Sequence, residues 1–312
     1  MLCEENETQV TQIRLTGFQS LHKYKSLLFI VFLLTYLFIL VGNLLIILLV
    51  TIIDHLQTPM YFFLKHLSIA DVLETTTIVP MMLDIIFAEE GVFTFWGCIL
   101  QLCLFGMFGY VQCYLIAVMS YDRYLAICQP LRNSSLMGPH LCLGLVIWPW
   151  FLAGMFILSE ILVVLQLSFC GLTSIDHFFC DFGPTMELAT SDTSILLLQD
   201  FVISIFAFFL PFSFIIVTYI CIFFDILKIS STHSGKKAFS TCSSHLITVC
   251  VYYGTLITVY MSPSNENTSH INKYRSLLYL VVTPLMNPII YSLRNNKIKT
   301  AIQKVISCIF KN

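Results

Sequence analysis

The sequence predicts an all-α membrane protein, a seven-transmembrane helix bundle followed by a short amphipathic C-terminal helix. Three observations predict it. The chain is 57% hydrophobic and 11% charged, with mean hydropathy +0.85, and a soluble globular domain carries about twice that charged fraction. Its 27 Phe and 14 Tyr give aromatic bulk suited to lipid and to interfacial belts. Seven stretches are long enough to cross a hydrocarbon core, which takes roughly 20 apolar residues for about 30 Å. Helix is the expected form, because backbone groups in hydrocarbon need local partners.

The spans are placed at Ser26–Ile53, Pro59–Phe87, Trp96–Ile127, Leu141–Leu165, Ile195–Leu227, Phe239–Met261 and Tyr274–Leu293. The second carries Lys65, Asp71, Glu74 and Asp84, so its apolar signal is the weakest. The third runs charge-free through Leu100–Met119 and ends at the pair Asp122-Arg123. The fifth contains Pro211 and the seventh Asn287-Pro288 followed by Tyr291. Proline removes a backbone donor and kinks a helix, so each is a hinge or a static bend. Beyond the seventh span, Ile298, Ile302, Val305, Ile306 and Ile309 alternate with basic residues at helical spacing, as in a helix lying on a membrane surface. Cys308 there is a candidate for palmitoylation, with an unmodified thiol the equal alternative.

The domain expectation is an extracellular N-terminus over 1–25, a membrane domain over 26–293 and a cytoplasmic amphipathic helix and tail over 294–312. Orientation follows from basic residues. With the N-terminus outside, the inner segments receive Arg132, Lys228, Lys236, Lys237, Arg294, Lys297, Lys299, Lys304 and Lys311, and the outer loops only Lys273 and Arg275. Arg14, Lys23 and Lys25 argue mildly the other way. No basic segment precedes an early apolar stretch, so no cleaved signal peptide is expected and the first span would act as the targeting signal. Asn6 and Asn267 open glycosylation sequons on the outer side, and the sequon at Asn133 falls inside.

Ionisable residues within spans mark the candidate sites, since charge at mid-bilayer costs a few kcal/mol. Asp122-Arg123 is either a helix-end anchor or a switch whose arginine exchanges partners as helices move. Asp71 should face the interior and find polar partners. Cys103, Cys113, Cys128, Cys142, Cys221, Cys242 and Cys250 read as small buried hydrophobes. Cys98, Cys170 and Cys180 face the oxidising side, where bridges persist.

The decapeptide Met119–Cys128, MSYDRYLAIC, resembles the cytoplasmic end of the third helix in odorant receptors, a branch of the rhodopsin-like G-protein-coupled receptors. Nearly the whole chain joins the resemblance: Gly42-Asn43, the run LQTPMYFFL at Leu56–Leu64, Leu67-Ser68 and Asp71, KAFSTCSSH at Lys237–His245, Tyr252-Tyr253-Gly254, and PLMNPIIYSLRN at Pro284–Asn295. The order and spacing of these segments together make it specific.

The resemblance implies a Cys98–Cys180 bridge that pins the long outer loop over the bundle mouth. A second pair within that loop is usual in the family, but Thr190 stands where its far cysteine would be. Cys170 is therefore expected as a free thiol, with Cys3 a remote candidate partner. Asn43 and Asn287 are implied neighbours of Asp71. Related receptors hold a sodium ion there, but Gln112 replaces the family's usual glutamate, so the alternatives are a weakened ion site or a hydrogen-bonded cluster that fixes packing. Asp122 is the implied resting partner of Arg123. Tyr219, His245 and Tyr291 are implied to regroup around Arg123 when the inner end opens, with His245 a titrating group or a packed neutral imidazole.

The candidate ligand lining is Leu102, Phe105, Gly106, Gly109, Tyr110, Ser204, Tyr253, Leu256, Tyr260 and Leu280. Each could equally be bundle packing. It is apolar with a few hydroxyls, which suits a small, volatile, mostly hydrophobic ligand. Phe105 stands where amine receptors carry an aspartate, and the seventh span has no lysine for a retinal Schiff base between Leu277 and Leu293. Glu160 and Asp200 read as solvated or snorkelling acids. The expected function is an odorant receptor activating a heterotrimeric G protein, stimulatory by resemblance and raising cyclic AMP, at the cell membrane. No cofactor, nucleic acid or resident metal is expected. The sequence shows no zinc helix motif, nucleophile elbow or phosphate loop of an enzyme. The alternatives are a same-family chemoreceptor acting outside the olfactory system, or a transporter using Asp71, Glu74 and Asp84 as an ion path.

Overall fold

The computed structural model describes the backbone of residues 10–171, 174–228, 232–260, 269–294 and 296–309; side chains at 19, 20, 134, 232–241, 260, 269–272, 292–294, 296 and 304–309 are not described. The elements in order are β1 (Gln12–Leu15), a 3-10 turn (Gln19–Tyr24), α1 (Lys25–Ile52), α2 (Pro59–Ala88), β2 (Gly91–Thr94), α3 (Phe95–Cys128), α4 (Pro130–Leu136), α5 (Pro139–Val164), β3 (Ser174–Ile175), α6 (Phe182–Met186), α7 (Ser194–Ser204), a π turn (Ile205–Phe209), α8 (Leu210–Lys228), α9 (Thr232–Tyr260), α10 (Ser269–Arg294) and α11 (Asn296–Ile309). Each expected span is met by helix, with α9 and α10 beginning seven and five residues before theirs.

By length and composition alone, five helical stretches among the described residues can cross a membrane: Leu21–Ile52, Phe95–Cys128, Pro139–Val164, Ser194–Lys228 and Cys242–Val259. α2 is helical throughout but carries charge; it buries Asp71 and Glu74, while Lys65 is half-buried and Asp84 exposed. Large apolar side chains face outward instead, Leu34 at 60% and Val41 at 65% exposure on α1. A band of that size has lipid, not water, as its natural solvent. Hydroxyls within the apolar helices return to their own backbone, as Thr35 does to the Val31 carbonyl at 2.8 Å and Thr51 to Ile47 at 2.7 Å.

Pro211 produces a more specific feature than a bend. Its ring and missing N–H disturb the turn that precedes it, and the chain answers with the π turn Ile205–Phe209, a wider register that absorbs the mismatch.

The chain divides into two compact units. The first holds Met1–Leu37, Leu73–Tyr110 and Trp150–Ala207, the second Phe38–Val72, Val111–Pro149 and Phe208–Asn312. In the first, β1 is the central strand of a three-stranded sheet, antiparallel to β2 (Ile13 opposite Phe93) and parallel to β3 (Arg14 opposite Ser174). Ile13 and Leu15 are fully buried while Gln12 and Arg14 face out, the period-two alternation of a half-buried strand. Phe18 stacks on Phe32 and Phe178 at 5.9 and 5.3 Å. Lys25 bonds Glu89 at 2.6 Å and holds its carboxyl below the usual carboxylate range. The core of the second unit includes Phe63, Leu64, Leu67, Tyr252 and Tyr291.

Candidate functional site

In the first unit, Cys98 and Cys180 are bridged across a sequence separation of 82 residues. Gln101, one turn along α3 from Cys98, holds the far side of that bridge in place. Its amide donates to the Thr77 carbonyl at 2.9 Å, and its oxygen accepts the Cys180 N–H at 3.0 Å. The sequence carries a signal for this role, a polar residue three positions from a bridging cysteine and so on the same helical face.

The free thiol expected at Cys170 is corrected: Cys170 is disulfide-bonded. Its partner is not among the free cysteines Cys103, Cys113, Cys128, Cys142, Cys221, Cys242 and Cys250. The side chains of Cys3 and Cys308 lie outside the described residues. The loop around Cys170 is tied to the N-terminal segment by the Val10 N–H on the Phe169 carbonyl at 2.9 Å. Thr190 lies beside the same stretch, its N–H donating to the Ser168 carbonyl at 2.9 Å.

The α3 face of the candidate lining sits against this covered end of the unit. Leu102 and Gly106 are half-buried, and Gly109 and Tyr110 are buried. The Phe105 ring meets Phe179 edge-on at 5.3 Å. The Tyr110 hydroxyl donates to Glu160 Oε1 at 3.1 Å. Glu160, expected as a snorkelling acid, is thus tied inward to α3, and Asp200 acts on it electrostatically. Ser204 spends its proton on the Asp200 carbonyl at 2.7 Å, leaving only lone pairs for a ligand.

In the second unit, Tyr253, Leu256 and Leu280 are buried, with Tyr253 against Phe212 at 4.4 Å. The side chain of Tyr260 lies outside the described residues, as do Asn6 and Asn267. Tyr252, quoted as part of a sequence match but given no role, accepts from the Cys113 thiol at 3.1 Å and meets the Tyr279 hydroxyl at 3.4 Å.

Asp71 lies in a buried cluster with Gln112 and Asn287. Gln112 donates to one carboxylate oxygen at 3.3 Å and Asn287 to the other at 2.8 Å. An amide at 112 can donate where a carboxylate could not. Both Asp71 oxygens therefore face N–H groups, as a cluster that fixes packing requires. The Asn43 amide is bonded elsewhere, to the carbonyls of Ile39 at 3.0 Å and Pro284 at 3.1 Å. Pro288 explains the second bond, because it lacks the N–H that would have served the Pro284 carbonyl one turn back. Asn43 supplies the missing donor. Gly42 makes room beside it, since a Cβ there would lie 2.8 Å from Cβ of Pro288. Asn43→Ala should leave a buried carbonyl bare, at about 1–3 kcal/mol. A lower midpoint in thermal unfolding of the purified protein checks this, and Gly42→Val should reduce surface display further.

Arg123 is paired with Asp122 through both Nε, at 3.1 Å, and Nη2. Tyr219 and His245 meet at 2.7 Å, and His245 Nε2 faces the Ile116 carbonyl at 3.2 Å. A carbonyl can only accept, so Nε2 carries a proton, and Nδ1 shares a hydrogen bond with the Tyr219 hydroxyl in a fully buried site. Arg123 is within electrostatic reach of Tyr219, Cys242, His245 and Tyr291. Tyr219, His245 and Tyr291, implied to regroup around Arg123, lie within its electrostatic reach while the arginine is engaged by its own neighbour.

A family model described as Olfactory receptor matches residues 32–308. The human olfactory receptor 5G3 is 43% identical over 303 residues, covering 97% of this chain and 96% of its own length. The rat olfactory receptor 1f45 is 42% identical over 305 residues, covering 98% and 97%. Among solved structures, the crystal structure of squid rhodopsin is similar, with TM-score 0.74 at 17% identity over 92% of this chain and 87% of that one. The likeness shows the fold to be the seven-transmembrane helix bundle that the spans predicted.

Proposed function

The chain belongs to the olfactory receptor family, and on that premise we propose that it is an odorant receptor that binds a small, mostly apolar ligand and activates a heterotrimeric G protein of the stimulatory type, raising cyclic AMP. It is a receptor and not an enzyme. The proposed topology places 1–25 outside the cell and 294–312 in the cytosol, supported by the distribution of basic residues. Leu102, Phe105, Gly106, Gly109, Tyr110 and Ser204 would meet the ligand, with the Tyr110–Glu160 pair as the polar point in an apolar lining. Asp122, Arg123, Tyr219, His245, Asn287, Pro288 and Tyr291 would carry the switch.

The single observation that carries this reading is the engagement of Arg123. It is held by Asp122, and Tyr219 by His245, in bonds that can be exchanged without breaking a helix. The stretch Ser230–His245 contains no acid to lock the arginine across helices. A ligand with preference for the open arrangement shifts the equilibrium by that preference, typically about 1–3 kcal/mol.

The test is a chemical panel applied to cells that carry the chain and a cyclic AMP reporter. Small apolar volatiles should raise the signal, and Tyr110→Phe should move the half-maximal concentration of hydrogen-bonding agonists by up to about tenfold, the worth of one neutral hydrogen bond. Uptake of a panel compound into vesicles, with no nucleotide exchange on added G protein, would put a transporter in the receptor's place.

A further inference from the structure

A cavity of about 340 Å³ opens in the second unit, apart from the residues assigned above. Its volume falls within the roughly 300–1,000 Å³ of small-molecule sites. Val50, Phe62, Met137 and Cys142 make an apolar wall, and Lys65 places an ammonium in it. Lys65 is half-buried, with Nζ 5.6 Å above the Phe62 ring. No ion pair joins it to a carboxylate among the described residues. Asp122, which acts electrostatically on Cys142 in the same wall, is already held by Arg123.

The position makes an unpaired ammonium costly. Lys65 lies six residues into α2, about 9 Å along the helix at 1.5 Å per residue. A half-buried cation beside apolar side chains seeks either water or an anion. The mouth reinforces the demand for negative charge. α2 and α5 both begin there, at Pro59 and Pro139, and the first N–H groups of a helix carry partial positive charge. The Thr58 and Gln57 side chains add hydrogen-bonding groups at the rim.

We infer that this cavity is a binding site for an anionic phospholipid, with the headgroup phosphate on Lys65 and the apolar side chains of Val50, Phe62 and Met137 flanking the headgroup end of the lipid. The charge complementarity selects an anionic lipid over a sterol or a zwitterionic one. It rests on the topology proposed above only for which leaflet supplies the lipid, and anionic lipids are concentrated in the cytoplasmic one.

The experiment uses the full-length receptor in nanodiscs of phosphatidylcholine alone or mixed with phosphatidylserine, and reads lipid retained after detergent extraction by native mass spectrometry. Phosphatidylserine should be retained in preference to phosphatidylcholine. Lys65→Gln should weaken that retention about fivefold, the worth of one lysine near an anionic surface, while Lys65→Arg keeps it. Thr51→Trp, at the exposed lip, should block the lipid and leave the Lys65 charge in place. Both leaflets of a nanodisc carry the lipid, so a reversed topology would not alter the result. Equal retention of the two lipids, or retention indifferent to Lys65→Gln, overturns the inference, and so does occupation by a sterol that the Lys65→Gln variant still binds.

Discussion

Cys98→Ser and Cys180→Ser are each expected to remove nearly all of the protein from the cell surface. The bridge closes a loop of 82 residues, and cross-linking a loop of that length restricts the unfolded chain by about 4–5 kcal/mol in the chain-entropy picture. That is a large share of the roughly 5–15 kcal/mol that holds an ordinary domain folded. Phe178, Phe179 and Cys180 are buried together, and Gln101 fixes the Cys180 backbone, so loss of the bridge also frees a packed segment. Cys170→Ser belongs with these two, since Cys170 is itself disulfide-bonded. Surface staining against total expression measures all three. A normal surface level for Cys170→Ser would make its bridge dispensable, and the same defect in Cys3→Ser, the outer-side cysteine outside the described residues, would name Cys3 as the partner.

The sequence read best where the physics is local. Twenty apolar residues in a row demand a helix wherever they lie; the helices of the first five spans lie within a residue or two of the expected bounds, while α9 and α10 begin seven and five residues before theirs. α2 was legible in spite of Lys65, Asp71, Glu74 and Asp84 because enough apolar residues remain between them to span, though with the weakest signal of the seven. β1 was not legible. QIRL is four residues, and its partners come from segments near 91 and 174, so nothing in its own pattern predicts a sheet. The π turn was half legible: Pro211 announces a disturbance without saying whether the chain kinks or widens. Cys170 misled because Thr190 occupies the family's usual partner position, and the absence of that partner says nothing about a pairing made elsewhere. In the site, Asn43 was assigned to Asp71 by proximity in the family pattern. Its bond to the Pro284 carbonyl follows instead from the donor that Pro288 lacks, which could have been argued from the proline alone.

Arg123→Ala is expected to abolish agonist-driven cyclic AMP while the receptor still reaches the surface. The arginine is engaged by its neighbour on the same helix, so its loss does not detach one helix from another. What remains is a buried Asp122 without its cation, and an orphaned buried charge destabilises strongly, by about 3–5 kcal/mol where water cannot reach it. Two companions separate that cost from the switch. Arg123→Ala combined with Asp122→Asn removes both charges and should recover the stability lost to the orphaned carboxylate without restoring the response. Asp122→Asn alone releases Arg123 from its resting partner toward Tyr219, His245 and Tyr291, and should raise cyclic AMP without agonist. Cyclic AMP normalised to surface receptor reads each variant. A full agonist response from Arg123→Ala would reduce the Asp122–Arg123 pair to a helix-end anchor, the other reading the sequence left open.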